Sequence, residues 1–392
     1  MSQNNPPVFL SYAFRPFFLL AGLYAVLALA LWITGFHGLR WPGAPLVISS
    51  LWHAREMALG FGGGVVAGFL LTAVASWTGR TPLRGPWLLV LVAAWLAGRL
   101  AATLGGGLPA PWLAVIDLAF PVLLAVFAGR EIVGGGSRRN YGIAAITWVL
   151  PALVLLYHLG EAGIIPGADR LCATVMVHLL MLLIAVVGGR VIPLFTANWL
   201  RMRGDSRPPP TVRPLLDPLA IALVAVAGAA DTLAPDTLPA GLACLLAGAV
   251  NLWRLNGWQG SKALSNPLLW SLHLAYACAA AGYVLLGATA LGLPLPRTAA
   301  LHLLTIGGIS GMILAMMTRV ALGHTGRPLV VVRPIAVAYV LLALAAVLRS
   351  FGPLLPGPYM AMIDTAALLW VAAFSLFLWV YAPILTGPRA DQ

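Results

Sequence analysis

Apolar runs of about 20 residues, separated by short polar stretches, repeat along the whole chain. Each is long enough to cross a hydrocarbon layer of about 30 Å as a helix. The pattern predicts twelve spans, at 16–36, 46–76, 86–105, 110–129, 141–159, 171–195, 215–233, 236–253, 265–292, 298–319, 330–350 and 359–385. No stretch remains for a soluble domain. The expected fold is an all-α polytopic membrane protein, residues 1–392 forming a single integral membrane domain. Residues 1–15 make a short N-terminal arm and 386–392 a tail. That arm lacks a basic region and a small-residue cleavage site, so the first span reads as an uncleaved anchor.

Composition agrees with the pattern: 61% of the 392 residues are hydrophobic and 9% are charged. The formal net charge of +12 would suit a nucleic-acid partner, but its distribution argues against one. Of the 23 Lys and Arg, only Arg40, Arg170, Arg297 and Arg349 fall on the side opposite the termini. Arg55 and Arg99 lie inside spans, and the other 17 share the side of the termini. This is the positive-inside asymmetry, and it predicts an inner-membrane protein with both termini cytoplasmic. The isolated Cys172, Cys244 and Cys278 read as packing residues, and C-x-x-C-H, the covalent haem motif, is absent.

The second, sixth and tenth spans resemble one another. Each has a histidine toward its outer end, His53, His178 or His302, at similar expected depth. A Gly-rich middle follows: Gly60 with Gly62 to Gly64, then Gly188 and Gly189, then Gly307, Gly308 and Gly311. Each is expected to end in a polar, Arg-bearing turn: "SWTGRTPLRG" at 76–85, "FTANWLRMRG" at 195–204 and "MTRVALGHTGRPL" at 317–329. A period of four helices suggests three four-helix arcs around a pseudo-threefold axis. That plan is similar to the central subunit of haem-copper oxidases and nitric oxide reductases, although the seventh span here has no histidine.

The motifs "FRPFFLLAGL" at 14–23, "WHAREMALGF" at 52–61, "AGFLLTAVASWTGRTPLRG" at 67–85, "GGRVIPLFTANWL" at 188–200 and "ALGHTGRPL" at 321–329 resemble the NnrS family. The resemblance implies a twelve-helix inner-membrane protein with bound haem and copper that relieves nitric oxide stress. The family's usual H-x-H-E-M reads His53-Ala54-Arg55-Glu56-Met57 here, so Arg55 stands where a second histidine is usual.

A charged group deep in a bilayer costs roughly 2.5–3.5 kcal/mol on insertion scales, so intramembrane polar residues are candidates for function. His53, His178 and His302 are candidate haem or metal ligands, since neutral imidazole suits iron and copper. Met57, one turn beyond His53, is a lesser axial candidate. His158 with His178 could hold copper, or His158 could be an interface histidine. His273 either ligates a second haem or bonds to Tyr276. Arg55 could pair with Glu56 or with a haem propionate. Arg99 and Asp117 could pair with each other or relay protons. His324 is expected in a cytoplasmic loop and His37 in solvent. His178 and Glu56 are the candidate catalytic residues.

The expected activity is nitric oxide reductase-like: NO bound at b-type haem and reduced to N2O, with a quinol or another membrane donor supplying electrons. A haem-based sensor or protection factor without turnover, and a three-repeat transporter, are the rival readings.

Overall fold

The structure, a computed structural model, describes residues 6–39, 48–205 and 209–391. Arg40 and Arg207 of the charge count, residues 46 and 47 of the second span, and residues 1–5 of the N-terminal arm lie outside the described residues. Among those described, the chain is helical with no strand. Twelve helices are long and apolar enough to cross a membrane, which makes this a multi-pass membrane protein. They are α1 Phe14–Phe36, α2 Ser50–Thr78, α3 Pro86–Leu104, α4 Ala110–Gly134, α5 Tyr141–Glu161, α6 Ala168–Met202, α7 Leu216–Leu233, α8 Leu238–Asn256, α9 Pro267–Ala290, α10 Arg297–His324, α11 Arg333–Phe351 and α12 Tyr359–Thr386.

The helices form two compact units. Unit 1 comprises Met1–Met176, Val320–Pro328 and Phe377–Gln392; unit 2 comprises Val177–Arg319 and Leu329–Leu376. In unit 1, α1, α3 and α4 pack on α2, whose apolar window is the most buried of all the spans, and α5 packs on α4. Gly64 and Gly68 admit the Trp95 indole, the Phe17 Cβ and the Phe18 ring against its backbone. In unit 2, α9 packs against α8 and against the Gly307–Gly311 segment of α10, where bare glycine backbone meets Cys278, Ala279 and Ala275. Small residues let membrane helices approach this closely.

Two helices depart from α geometry. In α2, Glu56–Gly62 is π-helical; in α10, Leu303–Ser310 is π-helical. Both wide turns begin just beyond a repeat histidine, His53 and His302. A π turn displaces carbonyls from their usual partners. The Trp95 indole N–H donates to Gly60 O at 2.9 Å, and Ser310 Oγ donates to Thr305 O at 2.8 Å. The third repeat helix, α6, is α-helical throughout.

Three expectations need correction. First, "FTANWLRM" and "MTRVALGH" are helix rather than turn. Each contains good helix formers, and left-handed glycines arrive only at Gly204 (φ 72°) and Gly326 (φ 70°). His324 therefore ends α10, where its ring lies near those of Tyr12 and Phe14. Second, Arg15 and Arg254, counted as loop charges, are buried inside helices. Arg15 Nη1 donates to Leu385 O at 3.0 Å and Gly387 O at 2.7 Å, closing the C-terminal end of α12, where carbonyls lack helical partners. Third, His53 and His302 lie in the first and second turns of their helices, but His178 lies about three turns into α6.

Candidate functional site

Each unit encloses a polar cluster. In unit 1 it begins at Glu56, the first residue of the π segment, which is 0% exposed. The Tyr24 hydroxyl of α1 donates to Glu56 Oε2. Arg99 Nη1 of α3 donates to the same oxygen at 2.5 Å, and Arg55 Nη1 donates to Oε1 at 2.7 Å. Asp117 of α4 closes the ring, accepting from Arg99 Nη2 at 2.6 Å and from Arg55 Nη2. Two guanidinium groups thus alternate with two carboxylates, and the formal charges cancel. His158 of α5 extends the cluster outward, its Nε2 3.1 Å from Asp117 and its Nδ1 3.4 Å from the half-exposed Glu161. The Arg55 guanidinium also lies 4.9 Å from the Tyr157 ring centroid.

Gly60 makes room for this arrangement. A Cβ there would sit 2.6 Å from the Tyr24 ring and 2.9 Å from Glu56 Oε2. A buried charge is tolerated when it is paired and hydrogen-bonded, and every carboxylate oxygen of Glu56 and Asp117 is engaged. The expected Arg99–Asp117 and Arg55–Glu56 pairs are therefore both present, within one network.

In unit 2, His178 of α6 is held at both ring nitrogens. Nε2 lies 2.9 Å from Asp231 Oδ2 of α7, and Nδ1 lies 2.9 Å from the Tyr283 hydroxyl of α9. Arg297 Nη2 donates to the same Asp231 oxygen at 2.5 Å. Nearer the other end of α7, Arg254 of α8 donates through Nε to Asp217 at 2.5 Å and through Nη1 to the Tyr276 hydroxyl at 2.9 Å. Tyr276 in turn donates to Asn251 Oδ1 at 2.6 Å. Asp231, Tyr283, Arg254 and Asn251 are functional candidates that sequence reasoning missed. For Asp231 and Arg254 the available signal was the one that marked Arg99 and Asp117, a charged group at an apolar span; Tyr283 and Asn251 carried no such signal.

The remaining candidates are dispersed. His53 stacks on Trp32 in unit 1, ring centroids 4.3 Å apart. Met57 is half-buried in the π segment. His273 lies in unit 2 with Nε2 3.0 Å from Thr196 Oγ1, not on Tyr276. Its Nδ1 is buried beneath Gly260, where a Cβ would come within 2.7 Å. His302 anchors Nδ1 on Thr298 O at 2.6 Å. His37 is exposed.

The family described as NnrS protein matches residues 8–389, nearly the whole chain. The chain belongs to the NnrS family. Membership suggests a role in the nitric oxide response. No curated protein matches this NnrS-family chain.

The residues present fit one of the groups that NnrS membership brings into question and not the other. For haem, His302 has the required form. Its Nδ1–H donates to a backbone carbonyl, which fixes the tautomer and leaves Nε2 with its lone pair and no described partner. For copper, His158 and His178 do not fit. All four ring nitrogens of the pair face carboxylates or a phenol. Among the described residues no group of three or more His, Cys, Asp or Glu is arranged to hold a metal ion.

Proposed function

We propose that this NnrS-family protein is a b-type haem protein of the inner membrane that binds nitric oxide and reduces it to N2O. The observation that supports this reading is His302, an intramembrane imidazole oriented by a carbonyl at one nitrogen and unengaged at the other, at the threshold of a π-helical turn. π turns inside α-helices recur at functional sites. His302 would hold the iron. Arg349, an electrostatic neighbour of His302, would pair with a propionate. His53, beside the other π turn, is the corresponding candidate in unit 1.

Bound haem would supply an NO-binding iron and one-electron transfers. The overall change takes two NO, two electrons and two protons. An N–N bond forms, one N–O bond breaks, and the released oxygen leaves as water. A quinol dissolved in the membrane is the proposed donor. In unit 1 the ion network would keep Glu56 and Asp117 paired and dry, giving α2 a fixed register around the first π turn.

The test is spectral and kinetic. Purified protein should show a Soret band, and His302→Ala should lose most of it while His37→Ala does not. Haem-replete protein with an artificial reductant should then consume NO on an anaerobic electrode. Absence of haem defeats the proposal as a whole. Haem that binds NO once and never turns over defeats the reductase and leaves a sensor or protection factor.

A further inference from the structure

In unit 2 the end of α6 and the residues leading into α9 enclose a pocket of about 430 Å³. Trp199, Arg203 and Asp205 line it from one side, Lys262 and Ser265 from the other. The volume is in the range of ordinary small-ligand sites. Two cations stand against one carboxylate, so the formal charge of the lining is +1. The Arg203 guanidinium lies 4.9 Å from the Trp199 ring centroid and forms no ion pair among the described residues. Lys262 Nζ donates to Gln259 Oε1 at 2.7 Å, which leaves two of its three N–H groups for another acceptor.

The pocket sits where a long helix leaves the hydrocarbon layer. Helix α6 has 35 residues, more than the roughly 20 a span needs, and Trp199 is in its last turn. A second arginine–tryptophan pair marks the same end of unit 2. Arg213 lies 5.1 Å from the ring centroid of Trp253, in the last turn of α8. The Thr211 N–H donates to Gly257 O at 2.9 Å, tying the segment after α6 to the end of α8. Tryptophan concentrates at the level of lipid headgroups, and arginine reaches for it. Aliphatic side chains adjoin the polar lining. Met202, next to Arg203, is 87% exposed, and Leu264, next to Ser265, is 69% exposed. A cationic pocket flanked by bare aliphatic side chains suits a molecule with a charged head and hydrocarbon chains better than a free ion.

We propose that this pocket binds the headgroup of an anionic phospholipid of the phosphatidylglycerol class. The phosphodiester pairs with Arg203 and Lys262, and its single negative charge balances the lining. A guanidinium covered on one face by an indole still offers its N–H edge to phosphate oxygens. The glycerol hydroxyls donate to the Asp205 carboxylate and to Ser265 Oγ, so every polar group of the lining has a use. The acyl chains run along Met202 and Leu264. A zwitterionic phosphoethanolamine head gives Asp205 an ammonium partner but leaves the net positive charge of the pocket unbalanced, which makes it the weaker ligand. The site is independent of haem and of nitric oxide.

The experiment is native mass spectrometry of the full-length, delipidated protein in detergent, titrated with phosphatidylglycerol or phosphatidylethanolamine of identical acyl chains. The first phosphatidylglycerol should bind roughly tenfold more tightly than the first phosphatidylethanolamine. Arg203→Gln combined with Lys262→Gln, checked for folding by elution and helicity, should remove that preference. Arg213→Gln, outside the pocket, should keep it. A preference that survives the double substitution overturns the site. A preference for phosphatidylethanolamine that Asp205→Asn removes identifies a zwitterionic ligand and overturns the assignment. Soluble glycerol phosphate is the third arm, and if it competes as well as the lipid, the pocket belongs to a free anion and the lipid proposal fails. A second measurement needs no substitution. Phosphatidylglycerol with a photoreactive headgroup should crosslink to peptides covering 199–205 and 260–265, and crosslinks confined to other peptides overturn the proposal.

Discussion

Arg55 is a charge buried inside an apolar span, and its environment shows what the arginine does here. Its planar fork reaches Glu56 and Asp117 at once while its face covers Tyr157, a set of contacts that one lysine ammonium could not reproduce. Removing a single member of a buried, balanced ion network strands the others. Such losses run to about 3–5 kcal/mol. Asp117→Leu should therefore lower the thermal midpoint of the detergent-solubilised protein sharply. Arg80→Ala, at a salt bridge whose arginine side chain is 40% exposed, should shift it little. Equal midpoints for the two variants would show that the buried network contributes no more than a surface pair. The sequence pointed to Arg55, Glu56, Arg99 and Asp117 because charges stand out in an apolar span. It could not point to Tyr24, because a tyrosine in a helix has no such contrast.

At the scale of an element, the π turns of α2 and α10 set where side chains emerge. Gly60 is the tightest point of the first, pressed by the Tyr24 ring, Glu56 and Arg99. A methyl group there must displace the phenol or the carboxylate, and neither has anywhere to go in a packed interior. Gly60→Ala should thus destabilise the protein by about 1–3 kcal/mol, the usual cost of overpacking. It should also weaken the Tyr24–Glu56 hydrogen bond, seen as a shift in the phenol C–O infrared band. Gly79→Ala gives a contrast. Its φ of 68° is strained for alanine, but open space surrounds it, so the phenol band should not move. The glycine periodicity was visible in the sequence. Whether it served a cofactor or close helix packing was not, since both demand small residues. The structure fills the glycine faces with Trp95, Cys278, Ala279 and the charged network itself.

For the molecule as a whole, the orientation in the membrane rests on the loop charges. The burial of Arg15 and Arg254 removes two from the side of the termini, yet the excess there remains large. A reporter fused after residue 391 should be active only in the cytoplasm. Activity confined to the periplasmic reporter would reverse the orientation. The helix α6, with 35 residues, is about 52 Å long, well beyond what a hydrocarbon layer needs. Its last turns, where Arg203 lies 4.9 Å from the Trp199 ring, should extend into the headgroups. A cysteine scan of 199–203 with a membrane-impermeant reagent should find these positions reactive from the same side as the C-terminus.

The sequence alone determined the twelve spans, because a helix that must satisfy its own backbone in lipid writes its length directly into an apolar run. It also determined the charge asymmetry and the family, both carried by linear order. Tertiary structure decided what each buried polar group is for. A histidine becomes a candidate ligand or a bridge between helices according to what faces its two nitrogens. For His178 those groups lie on α7 and α9, 53 and 105 residues away in sequence; for His302 the anchoring carbonyl is four residues away. Helical periodicity tells which residues share a face. Which foreign face meets it depends on packing between helices, and that has no signature in the spacing of residues along one chain.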